Sequence, residues 1–280
     1  ESIAEPLGLS LPAAARAIID IAIAKMSLAV RQVSVEKGHD PRDFALVASG
    51  GAGPLHAVAI ARELRIPKVI IPWFPSHFSA LGMLMADERH DIVQTWPASL
   101  ETLDFAALGR AIDGLAANLR DTARNKNVQI EYYLDLRYTG QEFSLPVSVT
   151  REQVEAAEGA AIIEAFGKQH KERYEHNAEG EPVEMINIRL VARAPCAKPV
   201  MPYPGGHAAA LCRQLVYMHA DTPEVCEVYQ RSGLSAGVHI TGPALIQEYG
   251  STTVLFPGDR CEVVPTGELL ITLAAAAGAG

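Results

Sequence analysis

Three glycines separate a short apolar segment from an alanine-rich segment in the first third of the chain. Residues Phe44–Ala48 are all apolar, glycines occupy three of the four positions from 50 to 53, and helical spacing runs from Pro54 to Leu64. A short uninterrupted apolar run is typical of a strand in a parallel sheet that is covered on both faces. The sequence therefore predicts a strand, a glycine turn and a helix in succession, as in layered α/β folds.

The glycines of this turn have two interpretations. A glycine tolerates the backbone conformation of a tight turn, and it also lacks the Cβ atom that would keep a ligand away from the backbone. Since the N–H groups at a helix N-terminus attract anions, Gly50, Gly51 and Gly53 suit a phosphate or an adenosine held against bare backbone. No Lys-Ser/Thr pair follows, and the spacing is not G-x-G-x-x-G, so the turn matches neither common nucleotide motif. Both interpretations stay open at this point.

The elements around the turn also indicate an α/β arrangement. Ser10 is placed to cap a long helix that ends before Gly38 and Pro41. A second apolar strand is predicted at Val69–Ile71 and a short helix at Ser79–Met85. We assign residues 1–96 to this first domain.

The pattern changes after Trp96-Pro97. The predicted elements are a helix over 105–124, a hairpin with strands over 131–138 and 142–149, a helix over 152–174 and a strand over 184–194. Short strands with Gly/Pro turns follow from Tyr217 onward. The sequence thus predicts an α+β domain over 97–205 and a small all-β module over 206–280 with a flexible, alanine-rich tail.

Charge and cysteine content exclude several classes of protein. The formal net charge is −9, which disfavours nucleic-acid binding because that function requires a basic face. No apolar run reaches the ~20 residues of a membrane span. The four cysteines are widely spaced, without a C-x-x-C pair, as expected for reduced thiols in a cytoplasmic protein.

Several motifs in order along the chain carry a resemblance to a known family. They are Arg42-Asp-Phe-Ala-Leu-Val-Ala-Ser-Gly-Gly-Ala-Gly-Pro-Leu-His-Ala57, Ser79-Ala-Leu-Gly82, Leu136-Arg-Tyr-Thr-Gly-Gln141, His170-Lys-Glu-Arg-Tyr174 and Gly242-Pro-Ala-Leu-Ile-Gln-Glu-Tyr-Gly-Ser-Thr-Thr253. The chain resembles the hydantoinase A/5-oxoprolinase family, which also holds subunits of acetone and acetophenone carboxylases. The resemblance covers nearly all of residues 1–273.

The resemblance implies an actin-like ATPase fold, in which two ribonuclease-H-like lobes close over ATP. This chain would supply part of one lobe, and Gly50, Gly51, Ala52 and Gly53 would lie against the adenosine or its α-phosphate. His56, one helical turn further on, would face the nucleotide or bond to nearby backbone. Members of the family use ATP to open a cyclic amide such as hydantoin or 5-oxoproline, or to activate a ketone for carboxylation.

One departure from the family limits what this chain is expected to do alone. The acidic glycine-rich loop that positions the γ-phosphate and Mg²⁺ in the family does not occur in this sequence, and phosphoryl transfer depends on such groups. We therefore expect a C-terminal portion without turnover of its own, with the Mg²⁺ ligands outside this chain. The expected partners are the missing N-terminal lobe, in the same polypeptide or another, and a hydantoinase-B-like subunit in an oligomer. A non-catalytic assembly module is the other alternative.

The remaining candidates each have a structural alternative. Arg137, beside Gln141 and Glu142, can bind a substrate carboxylate or form an internal salt bridge. The polar cluster of Glu248 and Ser251–Thr253 fits a subunit interface or a turn, and His39-Asp40 fits a capping turn. His77, His90 and Asp91 have no metal-binding spacing, and His170 and His176 do not share a helix face. The sequence assigns no catalytic residue.

Overall fold

The computed structural model describes residues 2–123, 127–176, 178, 180–203, 205–206, 210–218 and 222–274. Residues 275–280 of the predicted flexible tail lie outside the described residues. The helices are α1 (Leu11–Val33), α2 (Gly53–Glu63), α3 (Phe78–Met85), α4 (Phe105–Thr122), α5 (Arg151–Glu155) and α6 (Gly159–Tyr174). The strands are β1 (Ala45–Val47), β2 (Lys68–Ile71), β3 (Glu88–Ser99), β4 (Gln129–Tyr138), β5 (Leu145–Val149), β6 (Val183–Ala194), β7 (Cys212–Val216), β8 (Glu224–Gln230), β9 (His239–Thr241), β10 (Ala244–Glu248), β11 (Ser251–Leu255), β12 (Arg260–Val263) and β13 (Leu269–Thr272).

The chain forms two units, and the first is built from both of its ends. Residues 1–84 and 199–280 make up this unit, and residues 85–198 make up the second. One sheet of the first unit has the strand order β1-β2-β13-β12-β9, so the last strand of the chain pairs antiparallel with β2. The strands predicted as a separate module over 206–280 thus share a sheet and a core with residues 1–84. Leu269 and Ile271 of β13 lie opposite Ile71 and Val69 of β2, and all four side chains are buried in the same core.

Helix α1 of the first unit begins where the sequence predicts, but it ends at Val33, and a 3₁₀ turn over Val35–Lys37 fills the predicted remainder up to Gly38. The Ser10 hydroxyl accepts a hydrogen bond from the Ala13 N–H at 3.2 Å, and Gly38 adopts a left-handed conformation after a short 3₁₀ turn. The helix buries Ala14, Ile23 and Ser27. Its other side leaves apolar side chains in solvent: Ile18, Ile21, Leu28 and Val33.

Strand β1 differs from the sequence prediction in one respect. It pairs parallel with β2, as expected, but it is the edge strand of the sheet and both Ala45 and Val47 are exposed. The prediction that it is covered on both faces is therefore wrong for the part of the chain that the structure describes. Leu46, between these two residues, is partly buried against the core of the unit.

The second unit is an antiparallel sheet with helices packed on it. The strand order is β3-β6-β4-β5, and the apolar faces of α4 and α6 bury Ile112, Ile162 and Phe166 in its core. Strand β3 was not predicted, because Pro97 interrupts its pattern and lies where the pairing with β6 shifts register. The predicted helix over 152–174 is instead two helices, separated at Ala157, which has a positive φ of 53°.

Within the described residues, no helix is long and apolar enough to cross a membrane.

Candidate functional site

The glycine turn lies on the surface of the first unit, between β1 and α2. Ser49, Gly50, Gly51 and Ala52 are all exposed. The Gly50 N–H donates to the Pro75 carbonyl oxygen at 2.7 Å, which anchors the turn to the segment that follows β2. The turn is thus held in place by backbone contacts while its outer side stays open.

The three glycines of the turn differ in backbone conformation and in what surrounds them. Gly50 has a φ of +85°, which side chains rarely adopt, and a Cβ atom there would meet nothing within 4 Å. A Cβ atom on Gly51 would lie 2.8 Å from the Gly250 carbonyl oxygen, so the β10–β11 hairpin can pack this closely only because residue 51 has no side chain. A Cβ atom on Gly53 would make ordinary contacts with Ala48. Bare backbone faces open space at Gly50, whereas the close approach at Gly51 is made by the protein itself.

The N-terminus of α2 directly follows the turn and is not capped by a side chain. Ala52 occupies the N-cap position and offers no acceptor, and Pro54 in the first turn of the helix has no N–H. The Gly53 N–H donates to the Gly50 carbonyl oxygen at 3.2 Å. An uncapped helix N-terminus carries a partial positive charge, which favours an anion at this position.

His56 lies in the first turn of α2 and is half-buried. Its Nδ1 atom is buried and has no hydrogen-bond partner within the described residues. The backbone bond that the sequence allowed as an alternative is therefore not seen at this nitrogen. Buried polar atoms usually have a partner, so Nδ1 has capacity for a further hydrogen bond.

The β10–β11 hairpin borders the same surface. The Ser76 hydroxyl donates to the Tyr249 carbonyl oxygen at 3.0 Å, and the rings of Tyr249 and His77 stack with centroids 5.8 Å apart. Tyr249 is 84% exposed. Phe74, also exposed, stacks on Trp73. These rings offer aromatic surface at the edge of the glycine turn, of the kind on which a purine base stacks.

A buried polar cluster lies behind this hairpin. The Nε and Nη1 atoms of Arg231 and the Oε1 atom of Glu248 are buried without hydrogen-bond partners among the described residues. Burial raises the pKa of Glu248 to about 7, although the charge of Arg231 acts in the opposite direction. The sequence indicated Glu248 as polar but gave no sign that one of its oxygens is buried within reach of the charge of Arg231.

Most of the other sequence candidates have structural partners. The Arg137 Nε atom lies 2.8 Å from Glu184 Oε1, so the salt-bridge alternative is the one observed. Asp40 caps a 3₁₀ turn by accepting from the Arg42 N–H, and the Arg42 guanidinium lowers the pKa of Asp40 to about 2. Glu248 and Ser251 flank the turn of a hairpin.

The histidine candidates fall in both units. His77 lies in the first unit beside Ser76, while His90 contacts Glu88 in the second. In the described part of the chain, no three His, Cys, Asp or Glu side chains form a group that can hold a metal ion. His170 and His176 do not share a helix face, yet the structure brings them together: the His170 Nδ1–H donates to the His176 carbonyl oxygen at 2.7 Å.

The four cysteines are free thiols. Cys196 and Cys212 are exposed, and Cys226 and Cys261 are buried. Burial raises the pKa of Cys261 to about 12. A thiol with a raised pKa is a poor nucleophile, so Cys261 is a core residue.

The fold is mixed α/β, and comparison with known proteins gives its family. Family models match in two parts, hydantoinase/oxoprolinase over residues 1–92 and the hydantoinase/oxoprolinase C-terminal domain over residues 108–265. The chain belongs to the hydantoinase/oxoprolinase family. This confirms the resemblance found in its motifs.

Similar proteins include a hydrolase subunit and two enzymes of known structure. The chain is 31% identical to caprolactamase subunit alpha of Pseudomonas jessenii, over 96% of this chain and 41% of that protein. The nucleotide-free structure of acetone carboxylase superposes with a TM-score of 0.79 at 22% identity, over 97% of this chain and 41% of the other. The crystal structure of the ATP-dependent caprolactamase from Pseudomonas jessenii gives a TM-score of 0.68 at 28% identity, over 98% of this chain and 42% of the other. The chain thus spans about two fifths of the relatives that it matches.

Proposed function

We propose that this chain contributes part of the nucleotide site of an ATP-dependent enzyme that opens a cyclic amide. The observation that carries the proposal is the exposed glycine turn at an uncapped helix N-terminus, in a chain of the hydantoinase/oxoprolinase family. Gly50, Gly51, Ala52 and Gly53 would contact the adenosine or its α-phosphate through backbone, and His56 would contact the nucleotide. ATP supplies a phosphoryl group that can convert a carbonyl oxygen into a better leaving group.

The residues present fit only part of a nucleotide. Backbone N–H groups and aromatic surface suit an adenosine and an α-phosphate, whereas Mg²⁺ and a γ-phosphate need carboxylates and a phosphate loop. The sequence has no acidic glycine-rich loop. We therefore assign the Mg²⁺ ligands and the phosphate-binding lobe of an actin-like fold to a part of the enzyme outside this chain.

Exposed apolar surface on the first unit supports a missing partner. Ile18 and Ile21 on α1, Val47 on the edge strand β1, and Met83 and Leu84 on α3 are each at least half exposed. Burial of exposed apolar side chains favours association with a partner, and an unpaired strand edge can pair with a further strand. We propose that the N-terminal lobe covers these residues, with a hydantoinase-B-like subunit completing the oligomer. The named relative is itself a subunit, caprolactamase subunit alpha.

The domain assignment follows from this picture. The first unit, residues 1–84 and 199–280, would form the C-terminal part of the ATPase lobe, and residues 85–198 the α+β domain; the boundary predicted at 96/97 falls inside β3 of the second unit. Helix α3 would be the connecting helix of the hinge, since Gly82 leaves open space around its backbone.

A second candidate is the corresponding part of an ATP-dependent ketone carboxylase, favoured by the acetone carboxylase superposition. The test combines the 280-residue chain with an N-terminal lobe of the family and a hydantoinase-B-like subunit. ATP consumption is then measured with 5-oxoproline, hydantoin, caprolactam or, with bicarbonate, acetone. Ring opening that requires all components supports the hydrolase. ATP consumption that is stimulated by acetone with bicarbonate, and by none of the cyclic amides, supports the carboxylase. Robust ring opening by this chain by itself, or no stimulation by any substrate, contradicts the proposal.

A further inference from the structure

The second unit contains a pocket that the proposed nucleotide site does not use. Its volume is about 220 Å³, room for roughly seven groups of the size of a water molecule. It is lined by Gln141, Glu142, Phe143, His170, Tyr174 and His176. Two of the family-like motifs meet here, since the first three residues follow β4 and the others lie on or after α6.

His170 presents a hydrogen-bond acceptor to this pocket. The side chain is 3% exposed, and its Nδ1 atom lies 2.7 Å from the His176 carbonyl oxygen. Because a carbonyl oxygen only accepts, the proton of the neutral imidazole is on Nδ1 and the lone pair is on Nε2. The one contact of Nε2 within the described residues is Gln141 Nε2 at 3.5 Å, the outer limit of a hydrogen bond. A buried, weakly bonded acceptor is therefore available to a ligand.

Gln141 is oriented by its own contacts. Its Oε1 atom accepts from the Tyr138 N–H at 3.3 Å, so the amide NH₂ is the group turned toward His170. The oxygen of this side chain is thereby engaged within the protein. The pocket is left with the Nε2 lone pair of His170 as a fixed acceptor.

The other walls are aromatic and acidic. Phe143 is 73% exposed and Tyr174 is 42% exposed, and both rings line the pocket. Of the six lining residues, Glu142 carries the one carboxylate, and it is exposed. Nearby cations have partners of their own: Arg137 pairs with Glu184, and the guanidinium of Arg173 lies 5.8 Å from the Tyr174 ring centroid.

These groups together fit a planar organic cation. A guanidinium or amidinium stacks on aromatic rings, donates N–H bonds to a carboxylate, and has further N–H groups for a neutral imidazole nitrogen. A carboxylate-bearing ligand would be repelled by Glu142, and a purely apolar ligand would leave His170 Nε2 without a donor. We propose that this pocket binds a small molecule with a guanidinium or amidinium group, through Glu142, His170 Nε2 and the exposed ring of Phe143.

The test compares a cation with its neutral isostere. The ¹⁵N-labelled 280-residue chain is titrated in mildly alkaline buffer with methylguanidinium chloride and, separately, with methylurea, and the NMR signals around the pocket are followed. We expect saturable shifts of the Gln141 side-chain amide and of residues near it at millimolar methylguanidinium. Methylurea should bind at least about fivefold more weakly, as expected when an ion pair is lost.

Variants assign the binding to the two polar groups. Glu142→Gln should weaken methylguanidinium binding by about fivefold, while Glu101→Gln, at an exposed carboxylate outside the pocket, should leave it unchanged. His170→Asn keeps a donor near the Nδ1 position and removes the Nε2 acceptor, so it should weaken binding in a chain whose spectrum stays native. If this variant does not fold, Glu142→Gln and the methylurea comparison still decide the question. Equal binding of the two probes, no saturable shifts, or equal effects of the two glutamate variants would overturn the proposal.

Discussion

The carbonyl oxygen of Gly250 lies 2.8 Å from the position that a Cβ atom on residue 51 would occupy. Such a distance is below any ordinary Cβ contact, and the opposing atom belongs to backbone, which cannot rotate away. The glycine turn and the β10–β11 hairpin therefore fit together only because residue 51 has no side chain. This contact gives Gly51 a structural role and leaves Gly50 as the glycine whose bare side faces open space.

Replacement of Gly51 by alanine should destabilise the first unit. The added methyl forces the hairpin and the turn apart, and an overpacked contact of this kind lowers the free energy of unfolding by about 1–3 kcal/mol. Urea unfolding measures the change. Gly114→Ala is the matched control, since a Cβ atom there meets nothing within 4 Å in α4, and it should be neutral or stabilising by up to ~1 kcal/mol. Equal stability of the wild type and Gly51→Ala would contradict the contact.

Stability should depend on pH through Glu248. Because burial raises its pKa to about 7, the folded state prefers the protonated carboxyl. The stabilisation is fully present below the unfolded pKa of about 4.5 and is lost as the pH rises through about 7. The shift corresponds to about 3 kcal/mol, and solvent screening of the half-buried side chain reduces it to roughly 1–2 kcal/mol.

Glu248→Gln removes this titration. The variant should therefore exceed the wild type in free energy of unfolding at mildly alkaline pH, by roughly 1–2 kcal/mol, with the difference shrinking as the pH falls and vanishing below about 4.5. Glu36→Gln, at an exposed carboxylate, should show no such crossover. A Glu248→Gln profile parallel to that of the wild type would refute the assignment.

Asp259 should be the most sensitive acidic residue of the first unit. It is fully buried and accepts from Arg62 Nη2 at 2.6 Å, the Phe256 N–H at 2.9 Å and the Ala274 N–H at 3.0 Å. Asp259→Ala leaves these donors without an acceptor and should cost about 2–4 kcal/mol in unfolding free energy. Asp20→Ala breaks the exposed pair with Arg16 and should cost less than about 1 kcal/mol. Comparable losses from both substitutions would count against this ranking.

Local patterns predicted the elements of the fold better than their assembly. The cap at Ser10, the left-handed Gly38 and the alternation of β5 depend on neighbours in sequence, and each is observed. The pairing of β13 with β2 joins segments about 200 residues apart, and no local pattern records it. Strand β1 has the composition of a buried strand, but within the described residues no element covers Ala45 and Val47, and both are exposed.

The same limit applies to the candidate site. The glycine spacing located the turn and the helix N-terminus, because those features are local. It did not reveal the hairpin contact at Gly51 or the burial of one Glu248 oxygen within reach of the charge of Arg231, both of which depend on tertiary packing. Nor did the six-residue separation of His170 and His176 indicate their contact, which arises because Glu175 adopts a left-handed conformation after α6.

The central claim is that a nucleotide phosphate lies at the N-terminus of α2, and a charge at its N-cap tests that claim most directly. Ala52→Asp and Ala52→Asn introduce side chains of nearly the same size at the exposed N-cap position, and only the first adds a negative charge. ADP and adenosine binding to the two variants and the wild type is measured by calorimetry or by thermal stabilisation, where 100 times Kd corresponds to about 2.7 kcal/mol. The account predicts that ADP binds the wild type. Ala52→Asp should bind ADP at least about tenfold more weakly than Ala52→Asn, because its carboxylate repels the phosphates at the helix terminus. Adenosine, which has no phosphate, should bind both variants equally. Absence of ADP binding to the wild type, or equal ADP affinity for the two variants, would contradict it.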